Sequence, residues 1–142
     1  MSNAQNFPYR QYVEDIFNLR RFDLADQYYL PDVILHSASP GVASGRGVEH
    51  FKGLARGFFA SFPDAHFSVE EVVTQDDRLA ARLIIEGTHK AEFLGVAPTG
   101  KRIYVYDFVN YRIEDGRIVE VWSLVDMMLL LEQLGAVSMP GG

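Results

Sequence analysis

The stretch VYDFVNYRIEDGRIVEVWSLVD, residues 105–126, decides the fold, because it is typical of two strands joined by a tight turn. The residues EDG at 114–116 supply the turn, and apolar side chains occupy both faces of the strand before it. Antiparallel sheets usually leave one face polar, so two apolar faces predict cover on both sides. Helices can cover one face. A second copy of the chain is the simplest cover for the other, so we expect a homodimer through the sheet.

One acidic residue, Asp107, interrupts the apolar pattern of the first of these strands. Aspartate is depleted in strands and is seldom buried without a partner. Alternation puts Asp107 on one face with Val109 and Tyr111, and puts Tyr106 and Phe108 on the other. The position of this carboxylate therefore needs an explanation.

Two interpretations of Asp107 remain open from the sequence. In the first, the side chain enters an apolar cavity, where desolvation raises its pKa toward the range of a general base. In the second, it forms a salt bridge with Arg82 or Arg112, or is partly exposed. The opposite orientation of the strands would place Trp122 and Tyr106 in the pocket instead. With Asp107 inside, Trp122 points outward and is expected to anchor the dimer.

The remaining chain changes from a helical period to a period of two near residue 65. Helical spacing predicts helices over 8–20 and 48–62, a short helix after a cap at Asp23 that ends at Pro31-Asp32, and a last helix at 127–134. Alternation predicts strands at 33–37, 66–74, 78–93 (with a bend at Gly87), 102–113 and 117–126. This order predicts an α+β fold in which three N-terminal helices and a curved antiparallel sheet enclose a pocket.

Length and composition restrict the classes of function. The 142 residues form one predicted domain, 1–142, with 1–6 and 137–142 as flexible ends. A net charge of −6 without a basic cluster argues against a nucleic-acid partner. The apolar runs are too short to span a bilayer, and Met1–Phe7 is too polar for a signal peptide, so we expect a cytoplasmic protein without a membrane partner. The absence of cysteine excludes thiolate chemistry.

Several short motifs in a fixed order resemble those of the SnoaL-like polyketide cyclase family. They are FPD at 62–64, GTH at 87–89, EFLGVAPTGK at 92–101, RIEDGRIVEVW at 112–122 and QLG at 133–135. The resemblance implies the cone-shaped fold of nuclear transport factor 2, with a deep pocket. It also implies a cyclase that closes a ring by intramolecular aldol condensation without cofactor or metal.

The same resemblance assigns residues to the pocket. The family has an acid–base aspartate on its last strand and a histidine on the strand before, and these positions fall on Ser123 and Val109. Two positions on the first and third helices fall on Phe17 and Leu54. The expected substrate-binding residues are Phe17, Leu54, Phe58, Val109, Tyr111 and Ser123.

Two histidines are candidate partners of Asp107 in catalysis. His36 precedes the Gly/Ser-rich loop, and His89 follows Gly87 at the expected bend. Each can bind a substrate oxygen or transfer a proton near neutral pH, although a structural role is the commoner case. The four histidines lack the spacing of metal ligands, so we expect no metal.

Three functions therefore remain open. The first is a cofactor-free acid–base enzyme of the cyclase or isomerase type that acts on a small apolar carbonyl compound. Asp107 would be its base, and His36, His89 or Tyr111 would stabilise the enolate oxygen. The second is a non-catalytic dimer that binds a hydrophobic metabolite. The third is water addition of the epoxide hydrolase type, which needs an Asp–Arg–Asp set.

Overall fold

A six-stranded sheet forms one side of the molecule in the computed structural model, which describes residues 3–138 and 140. The strands lie in the order β2-β1-β6-β5-β4-β3. Their bounds are β1 Tyr29–Ser37, β2 Gly45–Arg46, β3 His66–Gln75, β4 Arg78–Thr88, β5 Arg102–Glu114 and β6 Arg117–Val125. Neighbours are antiparallel except for β1 and β6, which are parallel.

Helices cover the concave face of this sheet. They are α1 Tyr9–Tyr12, which continues as a π-helical segment Val13–Asn18, then α2 Ala25–Tyr28, α3 Val48–Ser61 and the C-terminal α4 Met127–Gln133. The apolar residues of the first helix face the core, where Tyr12, Val13 and Ile16 are almost fully buried. The α+β prediction of helices against a curved sheet is thus confirmed. In the part of the chain that is described, none of the helices is long and apolar enough to cross a membrane.

The prediction for residues 23–37 was wrong in detail. Asp23 does not cap a helix but forms an ion pair with Arg21, at 3.0 Å. Pro31 and Asp32 lie inside β1 instead of ending a helix before it. Proline is tolerated there because β1 pairs with β2 only at Ile34 and Leu35, and its pairing with β6 is interrupted between Tyr29 and Ile34. The N–H that proline lacks is therefore not needed in either ladder.

The predicted strand 78–93 ends at Thr88, five residues earlier than expected. Asp64 accepts hydrogen bonds from the backbone N–H and the hydroxyl of Thr88, both at 2.7 Å. Beyond it, the Lys90 N–H donates to the Ser61 carbonyl at 2.8 Å, which draws the chain away from the sheet. The two-residue strand β2 within the Gly/Ser-rich loop was not predicted.

Alternation along β5 separates a core face from an outer face, as the sequence predicts. Four residues on the core face, Ile103, Val105, Val109 and Tyr111, are at most 4% exposed. On the outer face, Tyr104 and Phe108 are about half exposed, at 49% and 50%. Asp107 belongs to the core face, which excludes the opposite orientation.

A single side chain joins the end of the first helical segment to the sheet. Asn18 accepts a hydrogen bond from the Phe67 N–H at 2.8 Å and donates one to the Phe67 carbonyl at 3.0 Å. An amide is suited to this position because it offers an acceptor and a donor at once. Through this contact the helix is held over the sheet, and the space between them is fixed.

We expect Asn18→Ala to lower the free energy of unfolding by roughly 2 kcal/mol, because two hydrogen bonds are lost and the backbone groups of Phe67 lose their partner. Urea denaturation followed by circular dichroism measures the change. Asn110→Ala, on an exposed position of β5, is the control and should stay within about 0.5 kcal/mol of the parent. Equal stability of the two variants would contradict the proposed link.

Candidate active site

A cavity of about 410 Å³ lies between the helices and the concave face of the sheet. This volume is within the range of pockets that enclose small molecules. All six residues expected at a binding site lie on its wall, namely Phe17, Leu54, Phe58, Val109, Tyr111 and Ser123. Further rings on the wall, including Phe51, Phe59 and Phe67, make the space strongly apolar.

Asp107 is one of two acidic residues on this wall, the other being Glu92. The Ser123 hydroxyl donates a hydrogen bond to its Oδ1 at 3.2 Å. Burial raises the pKa of the Asp107 carboxyl from its ordinary value of 3.8 to about 6, and the bond from Ser123 opposes that rise. The carboxyl therefore changes its charge close to neutral pH, as a general base must.

The salt-bridge interpretation of Asp107 was wrong. Arg82 lies near Glu71, at 3.8 Å, and Arg112 is bonded to Glu114 and Glu120, at 2.6 and 3.1 Å. Both arginines lie on the outer face of the sheet. Arg82 is the cross-strand partner of Phe108, and Arg112 is on the same face of β5 as Phe108. Among the described residues that line the cavity, no cation compensates the charge of Asp107.

Four buried tyrosines form a hydrogen-bonded cluster at another part of the cavity. The hydroxyls of Tyr9 and Tyr111 are 3.0 Å apart, and the hydroxyls of Tyr12 and Tyr29 are also in contact. Tyr12, Tyr29 and Tyr111 line the cavity. Burial raises the pKa of all four phenols, so they stay protonated at neutral pH.

Sequence reasoning singled out only Tyr111 of this cluster, because the others fit the apolar pattern of core residues. The chemistry of tyrosine could have revealed the cluster from the sequence. A buried tyrosine usually finds a hydrogen-bond partner for its hydroxyl, and several tyrosines at core positions predict that they bond to one another.

His36 does not lie on the cavity wall, which corrects its assignment as a partner of Asp107. Residues alternate along β1, so Leu35 and Ser37 reach the cavity while His36 points to the outer face. There its Nε2 contacts Glu120 at 2.7 Å, and its ring stacks on Trp122 with centroids 5.2 Å apart. Trp122 thus lies on the outer face, as expected.

The assignment of His89 to the cavity is corrected as well. Its side chain is fully buried beside the loop that follows β4, stacked on Phe62 with centroids 5.4 Å apart. Its Nδ1 accepts a hydrogen bond from the Thr99 N–H at 3.1 Å, which leaves the proton of the neutral ring on Nε2. His89 thus fastens the loop instead of facing a ligand.

Two loops meet at the entrance of the cavity. The turn at residues 93–96 is closed by two backbone hydrogen bonds between Phe93 and Val96, and it presents Leu94 toward Gly41. Gly41 has a φ of +79°, and a β-carbon there would lie 2.7 Å from Leu94 Cδ2. Position 41 therefore accepts only glycine while Leu94 keeps this place.

Comparison with known proteins gives the family. The model of the SnoaL-like polyketide cyclases matches residues 8–134, so the chain belongs to this family. Comparison with curated proteins finds no match. In the described part of the chain, no group of three or more histidine, aspartate or glutamate side chains is placed to hold a metal ion.

Solved structures with the same fold come from several bacteria. Wild-type IdmH from Streptomyces antibioticus, provisionally described as a polyketide cyclase, is 31% identical over 87% of this chain and 93% of its own, with a TM-score of 0.77. A SnoaL-like polyketide cyclase from Agrobacterium tumefaciens is 28% identical over 95% and 100%, with a TM-score of 0.76. AclR from Streptomyces galilaeus, provisionally described as a hydroxylase, is 28% identical over 94% and 100%, with a TM-score of 0.75.

The raised pKa of Asp107 predicts a specific dependence of stability on pH. The folded protein holds this proton more tightly than the unfolded chain, so the stability it contributes is complete below about pH 4 and is lost as the pH rises through about 6. We expect Asp107→Asn to raise the free energy of unfolding by roughly 1–3 kcal/mol at pH 8 and by little at pH 4. Urea denaturation at both pH values measures the difference.

Asp26→Asn is the control for that measurement, since Asp26 is an exposed carboxylate outside the cavity. It should leave stability within about 0.5 kcal/mol of the parent at both pH values. If Asp107→Asn were less stable than the parent at pH 8, the carboxylate would be a stabilising partner and not a desolvated base.

Proposed function

We propose that the protein is a cofactor-independent acid–base enzyme that acts on a small, mainly apolar carbonyl compound, with Asp107 as its general base. The observation that supports this most directly is the position of Asp107, a carboxylate with a pKa of about 6 on the wall of an aromatic cavity. A base with a pKa near the working pH combines a useful fraction of ionised form with adequate basicity.

The contact between Asp107 and Ser123 relates this site to the family. The resemblance places the acid–base aspartate of the family at Ser123, on β6, and its histidine at Val109, which is the direct partner of Ser123 across the strands. In this chain, Asp107 reaches the same neighbourhood from β5, and its Oδ1 lies 3.2 Å from the Ser123 hydroxyl. The carboxylate is thus supplied from the adjacent strand, and the position of the family's aspartate supplies a hydroxyl that orients it.

The charge of the cavity wall indicates the class of substrate. Among the described residues that line the cavity there is no lysine, arginine or histidine. A buried carboxylate or phosphate on the substrate would therefore have no partner, at a large cost in desolvation. A neutral ketone or ester, with its apolar part against the rings of Phe17 and Phe58, satisfies the site without such a cost.

The reaction needs only proton transfer and positioning. Ionised Asp107 takes a proton from a carbon next to a carbonyl group, and the electron pair of that C–H bond forms the C=C bond of an enolate while the carbonyl π pair moves to oxygen. In ring closure, the enolate carbon bonds to a second carbonyl carbon of the same molecule, and the resulting alkoxide takes the proton from Asp107. In isomerisation, Asp107 returns the proton to another carbon.

The two alternative functions are supported less well. Water addition of the epoxide hydrolase type needs two aspartates and an arginine, whereas the described wall carries Asp107 and no arginine. A container for a hydrophobic metabolite needs no base, and it gives no reason to keep a destabilised carboxylate among aromatic rings. The container is the alternative that the next experiment tests.

We expect the protein to catalyse exchange of the methyl protons of acetylnaphthalene, a neutral aryl ketone, in deuterium oxide. The rate, followed by NMR, should rise as the pH increases through about 6, when Asp107 ionises. Asp107→Asn should lower the catalysed rate by roughly a hundredfold or more, whereas the control Asp26→Asn should keep it. Binding of the ketone without any catalysed exchange would favour the container.

We infer that the partner of this chain is a second copy, bound through the outer face of the sheet. Apolar side chains there are widely exposed, with Val73 at 57%, Phe108 at 50% and Leu124 at 47%. Phe108 and Leu124 are direct cross-strand partners, so the patch is continuous across β5 and β6. A two-fold dimer needs only one such self-complementary patch.

Phe108→Glu should convert a dimer into a monomer, because it places a carboxylate in the middle of this patch. Sedimentation velocity at micromolar concentration measures the state. Leu19→Glu, at an equally exposed leucine away from the sheet, is the control and should leave the dimer intact. A parent protein that sediments as a monomer would contradict the inference.

A further inference from the structure

The mouth of the cavity is marked by the wall residues that solvent reaches. Among the described residues of the wall, those that are exposed are Gly41, Gly53, Gly57, Glu92 and Leu94. Three of them are glycines and contribute no side chain to the opening. Of this set, only Glu92 and Leu94 can therefore extend across the mouth, one with a carboxylate and one with an apolar group.

Glu92 is held on its own side of the mouth. Its Oε1 accepts a hydrogen bond from the Gly95 N–H at 2.6 Å, and its carbonyl oxygen accepts one from the Ser61 hydroxyl at 2.7 Å. These bonds fix both the side chain and the backbone of Glu92. An exposed carboxylate also loses hydration when it is moved over an apolar opening, which is unfavourable. Leu94 is then the side chain of this set that can cover the mouth.

Leu94 covers the mouth at Gly41. A β-carbon built on Gly41 would lie 2.7 Å from Leu94 Cδ2 and 2.9 Å from Leu94 Cδ1. Both methyl groups thus lie over the bare backbone of Gly41 and contact it. The rest of the side chain faces solvent, because Leu94 is 44% exposed. The leucine therefore stands between solvent and cavity and joins the two loops across the entrance.

The folding of the turn gives no reason for a leucine at this position. The φ of Leu94 is +48°, in the left-handed region that disfavours residues with a side chain and favours glycine. A side chain that is nearly half exposed also gains little from burial. Backbone strain that the surrounding structure maintains is often associated with function. The effect of the leucine that the structure does show is its contact with Gly41 across the mouth.

Hydrogen bonds fix the backbone on both sides of the mouth. Phe93 and Val96 are joined by two backbone bonds, of 3.0 and 2.8 Å. In the opposite loop, the Val42 N–H donates to the Ser39 carbonyl at 3.2 Å. The mouth can open without movement of either loop, because a change of rotamer at Leu94 uncovers the opening. Exposed side chains change rotamer within picoseconds to nanoseconds.

We propose that Leu94 is the residue that controls the entry of ligands into the cavity. Its side chain covers the mouth while it lies on Gly41 and uncovers the mouth when it turns toward solvent. Ligands enter and leave only during the open fraction of the time, so both rates are reduced by that fraction. The affinity stays the same, since covering the mouth does not distinguish the free from the occupied cavity.

The fixed loops also limit the shape of the ligand. When Leu94 turns away, the gap between the two loops does not widen further, because their backbones are held. Flat aromatic compounds pass through such a gap edge-on, whereas globular compounds are delayed. This inference goes beyond the function proposed above, because it concerns entry and holds equally for an enzyme and for a container.

Stopped-flow fluorescence with N-phenylnaphthylamine measures entry and exit. This dye is neutral and aromatic, and its emission rises in an apolar site. Leu94→Ala removes the methyl groups that lie on Gly41, so we expect association and dissociation to become roughly fivefold to tenfold faster. Both rates should change by the same factor, and the dissociation constant should stay within about twofold of the parent value. A leucine that only contacted the bound dye would change the affinity, mainly through the dissociation rate.

A globular ligand tests the limit on shape. Acetyladamantane is a neutral ketone of rounded form, and its entry is measured by kinetic competition with the dye. Its association rate should rise more in Leu94→Ala than the association rate of the dye does. Leu94→Trp places a larger side chain on the same turn and should slow the entry of both ligands.

Leu19→Ala is the matched control. Leu19 is 56% exposed and lies outside the cavity wall as the described residues define it. The same truncation at this position should leave the association and dissociation rates of the dye unchanged. Circular dichroism establishes that each variant is folded.

Three results would overturn the control of entry by Leu94. They are equal association rates in the parent and in Leu94→Ala, an effect of Leu94→Ala confined to the dissociation rate, and a parent protein that does not bind the dye. Equal gains for the dye and for acetyladamantane would overturn the limit on shape. These measurements need no turnover. A protein that responds to Leu94→Ala as described, but does not exchange the methyl protons of acetylnaphthalene, would retain this inference and lose the proposed function.

Discussion

The alternation of side chains along β5 is the constraint on which the rest of this structure depends. One face of the strand closes the cavity, and the other carries the exposed aromatic patch. Each face therefore has its own structural role. Pairing with β4 and β6 over most of its length holds the strand in one register. That register places Asp107 inside and its neighbour Phe108 outside, and a shift of one residue would exchange them.

The cavity combines two kinds of polar group that are stable for different reasons. Among the described residues, Asp107 receives a hydrogen bond from the Ser123 hydroxyl at 3.2 Å, and the desolvation of the carboxyl disfavours its charged form. The phenols carry no charge and bond mainly to one another, so their burial has only a small unfavourable effect on the free energy of folding. Among the described residues, the wall of the cavity therefore combines a carboxylate that has no cation beside it with phenols that bond to one another.

Much of the architecture could be predicted from the sequence because it follows from periodicity. The strands around EDG, the third helix and the inward direction of Asp107 all derive from the spacing of apolar residues. Predictions that depended on single residues were less accurate. Proline breaks a strand only where the ladder needs an N–H at that position, and β1 is unpaired at Pro31 on both sides. The early end of β4 is set by Asp64, which is distant in sequence.

The histidines show the same limit at the level of the site. Their chemistry suits catalysis, but alternation along β1 and the closure of a loop around His89 decide where they lie, and neither is visible in the residue type. The tyrosine cluster was missed for the converse reason. Its members have the spacing of core residues, and only their joint burial in three dimensions reveals that their hydroxyls meet.

The two sides of the cavity entrance differ in how freely they can change during evolution. Gly41 accepts no larger residue while Leu94 keeps its place, whereas Leu94 itself projects from a short turn and is 44% exposed. Descendants of this protein can therefore widen the opening by trimming Leu94 or shortening its turn, without disturbing the sheet. The entrance can therefore be enlarged at position 94, whereas position 41 already holds the smallest residue.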